Sequence, residues 1–351
     1  MNIISRHSYT LMLWISTVLI SQTDPSLAQK LDMVVIDSLL QNATVYTLNQ
    51  DYERALTISA DIIARAPEQP LGHLFHAATL QSRMLDFENT ADEEAFMKHL
   101  KACRQLSENL LRRNPDHAHA HFWLGSAYGY ESFYLGKKRR YLEAVHLGWK
   151  TIQHLETAVR LDPKLYDAYL GIGTYKYYRS KMKLLFWGDE TAEGLALVRQ
   201  AAKHGKYSCY AALNGLIWML LDENLADEAY ATADSVLQKF PRSRFFLWGA
   251  AESATRLEKF ARARECYAAI MASLQEEKKL SPYLAAVCRL KLARLALKES
   301  NPQNACAELD LIEAKDLPRD SKGKDLAKQI EQMRKSCAAS QASSNGRHDG
   351  Q

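Results

Sequence analysis

The 351-residue chain is poor in helix breakers, with 15 glycines and 9 prolines. So few breakers over such a length argue against a strand-and-turn fold and favour long helices. Several chemical signatures are missing as well. There is no Gly-rich phosphate loop, no GxSxG elbow and no paired Cys/His nucleophile pattern, and the six cysteines include no CxxC. Nor is there an excess of one charge sign. Forty-five Lys and Arg against 41 Asp and Glu leave +4, too balanced for a nucleic-acid reader, whose footprint would be a strongly basic domain. What remains, 47% hydrophobic and 25% charged, excludes a wholly disordered, collagen-like or multi-span membrane chain. A single core becomes awkward beyond roughly 250–300 residues, which points to two domains or an elongated repeat architecture.

The N-terminus carries Arg6 and His7, then an apolar run of twelve residues from Tyr9 to Ile20, then Ser26-Leu27-Ala28. Basic, apolar and small-residue parts in that order predict a secretory signal over residues 1–28, cleaved after Ala28. A spanning helix needs roughly 20 residues, so an uncleaved anchor is the weaker reading. No cysteine follows the run, which leaves a lipoprotein-type attachment unsupported. The expected address is periplasmic or secreted. An even number of cysteines permits disulfides there, with partners undetermined by spacing.

Four stretches end in a similar way at a proline: those before Pro67, Pro115, Pro163 and Pro241. A proline just past a helix end is where it belongs, because it cannot continue the ladder. Twelve residues before each stand Ala55, Cys103, Thr151 and Ala229, and Gly194, Ala263 and Ala305 extend the series. With Trp123-Leu124-Gly125 and Tyr128, and with Asp167-Ala168-Tyr169-Leu170-Gly171, this pattern resembles the tetratricopeptide repeat (TPR) family. The resemblance covers residues 34–318 and implies an all-α, right-handed superhelical solenoid of about seven degenerate hairpins. The small residue serves the close crossing of the two helices of a hairpin. Independently, Ala250, Ala254, Leu257 and Ala261 recur with helical period, as do Val287, Leu290, Ala293 and Leu297. The repeat domain is placed at 29–318. Residues 319–336, with Leu326, Ile330 and Met333 on one face, read as a capping helix. The tail 337–351 is poor in core formers and reads as disordered.

The resemblance implies an interaction scaffold with no cofactor and no catalytic or metal site. Its first helices would line a concave face carrying Phe122, Tyr130, Tyr175, Lys176, Asn214, Trp218, Trp248, Glu252, Arg256, Arg294 and Lys298. Such a face takes a protein or peptide partner. The Lys/Asn pattern of the carboxylate-clamp members is not reproduced. The arrangement also resembles bacterial envelope TPR proteins of undefined role, so envelope assembly is the expected setting. Insertions are expected between the helices of repeat two, from Met84 to Glu94, and at 130–141 and 175–189. The last two mix aromatics with Lys and Arg, which offers lipid or glycan contact as the alternative function. His117 and His121 lie at i and i+4, yet no third ligand accompanies them, and solvated helix-start residues are the simpler reading.

Overall fold

The computed structural model describes residues 25–182, 188–313, 315 and 317–345. Fifteen helices and no strand occur among them. They pair in chain order as α1 (Pro25–Leu48) with α2 (Tyr52–Arg65), α3 (Pro70–Asp86) with α4 (Glu93–Arg113), and α5 (Ala118–Lys137) with α6 (Tyr141–Leu161). Next come α7 (Asp167–Lys181) with α8 (Thr191–His204), α9 (Cys209–Asp222) with α10 (Ala226–Leu237), and α11 (Arg244–Arg256) with α12 (Phe260–Glu276). The last hairpin is α13 (Pro282–Lys298) with α14 (Pro302–Asp310), followed by the cap α15 (Ser321–Asn345). Seven hairpins and a cap are what the repeat pattern predicts.

Local chemistry fixes the helix starts. The Asp51, His117, Ser281 and Asn301 side chains each accept a backbone N–H of the first turn of α2, α5, α13 and α14. Proline stands at the beginning of α3, α13 and α14, where its missing donor costs nothing. Six hairpin turns share one conformation. Gln50, Glu88, Arg139, Asn224, Glu258 and Ser300 adopt φ between 52 and 61°. The N–H following each left-handed residue returns to a carbonyl of the preceding helix at 2.8–3.0 Å, as in Asp51 N to Tyr46 O and Leu225 N to Leu220 O. This is the closing bond of a helix-terminating motif usually built on glycine. Here five kinds of side chain, none of them glycine, occupy the six positions.

All seven small residues of the repeat register are buried, each in the second helix of its hairpin. The tightest crossing is in hairpin four, where a Cβ on Gly173 would sit 2.6 Å from the Gly194 carbonyl oxygen. The stretch Met84–Glu94 differs from the expected insertion between helices. Met84–Asp86 close α3 and Glu93–Glu94 open α4, so the extra residues are mostly added helical turns. Both α4 and α6 start ten residues before their small residue, against three in α2, α8, α10, α12 and α14. Hairpins two and three therefore project about two turns beyond their neighbours. The part of the 175–189 insertion at 183–187 lies outside the described residues, as do 1–24 of the expected signal and the end of the tail from 346.

The cap is longer than expected, continuing past Ser336 to Asn345. Leu326 and Ile330 are buried on the last hairpin, with Met333 packed beside them. Cys337 is buried and joined by a disulfide to Cys306 of α14, with Cα atoms 5.9 Å apart. That bond anchors the point at which the tail was expected to become disordered.

Hairpins far apart in sequence also touch. Asp37 of α1 accepts from the Tyr207 hydroxyl and the Lys206 ammonium before α9. Phe75 of α3 meets the Tyr207 ring edge-on at 5.4 Å. Asp86 at the end of α3 binds Arg244 at the start of α11, with Nε to Oδ1 at 2.8 Å. At hairpin two's turn Glu88 binds Lys322, and Arg139 at the turn of hairpin three binds Asp325 at 2.6 Å. The superhelix is thus wound tightly enough that its first turns rest against its last.

Candidate interaction face

Consecutive first helices contact one another through α1, α3, α5, α7, α9 and α11, which makes them the inner layer of the solenoid. Polar contacts tie the layer together. Gln81 of α3 donates to the Tyr130 carbonyl of α5 at 3.0 Å. The Tyr177 hydroxyl of α7 lies 3.2 Å from the Met219 carbonyl and 2.7 Å from Glu223, across α9. Burial, then the Glu223 and Asp222 carboxylates, push that phenol far above its ordinary pKa. Arg256 of α11 donates to the Leu221 carbonyl, and Lys291 of α13 pairs with Glu252 at 2.6 Å.

The eleven residues assigned to the concave face separate into groups. Phe122 is half-buried between the cores of hairpins two and four, and Tyr130 packs on the former. Burial pushes the Tyr130 phenol up to about 12. Tyr175 lies 3.4 Å from the Cβ position of Gly148 in α6, and Lys176 pairs with Glu190 and Glu193 at 3.0 and 2.8 Å. Both thus engage second helices or the approach to one. Asn214, Trp218, Trp248, Glu252 and Arg256 lie on the neighbouring helices α9 and α11, with Arg294 and exposed Lys298 on α13. Arg294 donates to Gln329 of the cap at 2.8 Å.

Within this group α9 carries the open ground. Leu216, Ile217 and Met219 to Leu221 are buried, yet Trp218 is 41% exposed. Gly215 faces open space. One turn before Trp218, the buried Asn214 Oδ1 has no hydrogen-bond partner. Trp248 is half-buried, its ring 5.8 Å from that of Tyr267. Tyr178 at the end of α7, within the 175–189 stretch marked by its aromatic and basic residues, is exposed and close enough to feel the charge of Asp222.

The histidines serve structure. His117 caps α5 through Nδ1, accepting from Ala120 N at 3.1 Å, while His121 meets His154 at 3.0 Å. Because His117 stands outside the helix, the i, i+4 face does not form. Among the described residues no three His, Cys, Asp or Glu side chains gather as a metal site. Burial pushes the Cys103 and Cys288 thiols up to about 12, far from a reactive thiolate. A Cβ added to Gly125, Gly171 or Gly173 would come within 2.9 Å of Leu155 or Gly194, which marks all three as close-packing positions.

A family model described as Regulator of microtubule dynamics protein 1-3 matches residues 39–186, less than half of the chain. No curated protein matches the sequence. Among solved structures, the chain is similar to the APC/C hetero-tetramer Cut9–Hcn1 at 14% identity, covering 83% of this chain and 55% of that one with a TM-score of 0.53. It thus spans about half of that protein. PilW, a type IV pilus biogenesis factor, aligns at 15% identity over 69% of this chain and 97% of its own, with a TM-score of 0.48. A thermophilic TPR protein of Thermus thermophilus aligns at 17% identity over 63% and 98%, with a TM-score of 0.40. The chain has the fold of the TPR proteins, a helical-repeat solenoid.

Proposed function

We propose that this chain is an exported scaffold that binds a protein segment on its first-helix face and assembles components of the cell envelope. The observation that carries this reading is the unpartnered Asn214 Oδ1 one turn before the exposed Trp218. A buried acceptor without a donor is costly, about 1–3 kcal/mol, and is retained where something else supplies the hydrogen bond. An extended peptide offers backbone N–H donors, and an exposed indole one turn away offers an anchor for its side chains. Export is supported by the Cys306–Cys337 disulfide, which suits an oxidising compartment.

Crosslinking in the native envelope followed by mass spectrometry would identify the partner, and two variants then test the face. Trp218→Ala should weaken partner affinity by roughly thirtyfold, equivalent to about 2 kcal/mol. Asn214→Ala should weaken binding while leaving the melting temperature unchanged or raised, since it removes an unpaired acceptor. Unchanged affinity together with lowered melting in both variants would make these residues core elements and refute the reading.

A further inference from the structure

Hairpins two and three project equally, but their projections differ. That of α4 opens with Glu93–Glu94 and buries Phe96. That of α6 leaves Tyr141, Leu142, Val145 and Trp149 exposed, Leu142 at 89% and Trp149 at 53%. At about 100° per residue these four fall within roughly 100° of arc. Ile152 continues the same side of the helix and is buried, so the bare apolar face is confined to the projecting turns. Phe133 of α5, also exposed, stands beside the same hairpin turn.

Along the chain the charge at this face is one-sided, although Glu93 of α4 and Asp325 of the cap reach its edge. From Lys137 to Lys150 the chain carries Lys137, Lys138, Arg139, Arg140 and Lys150 against Glu143 alone. Glu143 lies about 100° beyond the apolar arc on the helix wheel. Lys138 pairs with Glu93, Arg139 with Asp325 and Arg140 with Glu143. All three pairs are solvent-exposed, and such pairs exchange readily for other anions. Aromatic rings and a leucine rimmed by cations are the composition of a surface that lies in a lipid interface. No helix among the described residues is long and apolar enough to cross a membrane.

We propose that the turn between α5 and α6, with the first turns of α6, docks this protein on an anionic phospholipid membrane. Leu142, Tyr141 and Trp149 enter the headgroup boundary, and Lys137 to Arg140 meet the lipid phosphates. This surface is separate from the Asn214–Trp218 face, so either assignment can fail without the other.

Co-sedimentation of the full chain with vesicles tests it. The parent should pellet with phosphatidylcholine vesicles containing phosphatidylglycerol and much less with phosphatidylcholine alone. Each Lys or Arg near an anionic surface contributes about fivefold, so Lys137→Gln/Arg140→Gln should lose roughly twentyfold. Leu142→Ser/Trp149→Ser should lose tenfold or more by removing apolar burial, about what one Leu side chain contributes. These side chains are exposed, so melting should stay at the parent value. The Tyr9–Ile20 run is present in every protein compared and cannot produce a difference between them. Variants that pellet like the parent, or a parent indifferent to phosphatidylglycerol, would overturn the proposal. So would variants that turn a dimer into a monomer in sedimentation equilibrium while vesicle binding is absent, which would show a second copy covering the face.

Discussion

A Cβ on Gly194 would lie 2.8 Å from the Gly173 carbonyl oxygen and 2.8 Å from the Tyr177 amide nitrogen, both backbone atoms that cannot swing aside. Gly194→Ala should therefore destabilise by about 1–3 kcal/mol through overpacking. Gly215, mid-helix with open space around its Cβ, should respond in the opposite sense. Gly215→Ala should stabilise by roughly 0.5–1 kcal/mol, because alanine suits a helix interior better. Chemical denaturation of the two variants checks both signs. Equal responses would mean that the crossing of α7 and α8 is looser than the geometry requires. Gly194 was legible in sequence because a helix crossing demands a small side chain wherever it recurs. The inner-face residues were less so. An insertion shifts the helical register by a fraction of a turn, and that is enough to turn Lys176 toward Glu190 and Glu193.

Pairs of helices in hairpins two and three are joined by imidazoles. His73 Nδ1 lies 2.9 Å from His99 Nδ1, His76 stacks on His99 with ring centroids 4.0 Å apart, and His121 meets His154. Burial first, then neighbouring imidazoles and cations, lowers the pKa of His73, His76, His99 and His154, to about 4 for His99 and His154. Lys98, Arg83 and Lys150 are the facing cations. The unfolded chain takes up protons first as pH falls below about 6.5. The contribution of these groups is therefore full above that pH and lost as pH falls towards about 4. Melting temperature should drop from about pH 7 to about pH 5, and His99→Gln should flatten the drop. A profile unchanged by that substitution would assign the pH dependence to other groups. At this scale the helices themselves were legible through period, caps and prolines. Their turns were not, because the left-handed position falls on Gln50, Glu88, Arg139, Asn224, Glu258 and Ser300, none of which signals it as glycine would. The projecting turns of α4 and α6 were missed for a related reason. A hairpin lengthened by two helical turns leaves its small residue in place and changes only the distance between markers.

Solenoids ordinarily hold together through neighbouring repeats alone, but here the ends of the superhelix are joined by an ion cluster. Arg244, fully buried at the start of α11, binds Asp86 through Nε at 2.8 Å and Glu277 through Nη2 at 3.0 Å, and it also donates to Ser273. The Tyr52 hydroxyl donates to Asp86 at 2.8 Å, and the Phe87 ring lies 5.7 Å from the guanidinium. Burial opposes the charge on Arg244, but the hydrogen bonds from it to Asp86 and Glu277 outweigh that and hold its pKa above the ordinary value. Asp86 and Arg244 are 158 residues apart, and no local period or spacing connects them, so the closure had no signature in the sequence. Removing Arg244 strands the buried Asp86 carboxylate without its cation. Arg244→Met leaves Asp86 and Glu277 facing each other and should cost about 3–5 kcal/mol. Replacing both charges, as in Arg244→Met/Asp86→Leu, should recover much of that loss, since a buried ion pair contributes little over well-packed apolar groups. The same cycle distinguishes a clamp from an incidental contact. If the cluster holds the first hairpins on the sixth, Arg244→Met should raise the radius of gyration in small-angle scattering, and the double variant should bring it back. A single variant that melts and scatters like the parent would show that the superhelix closes without it.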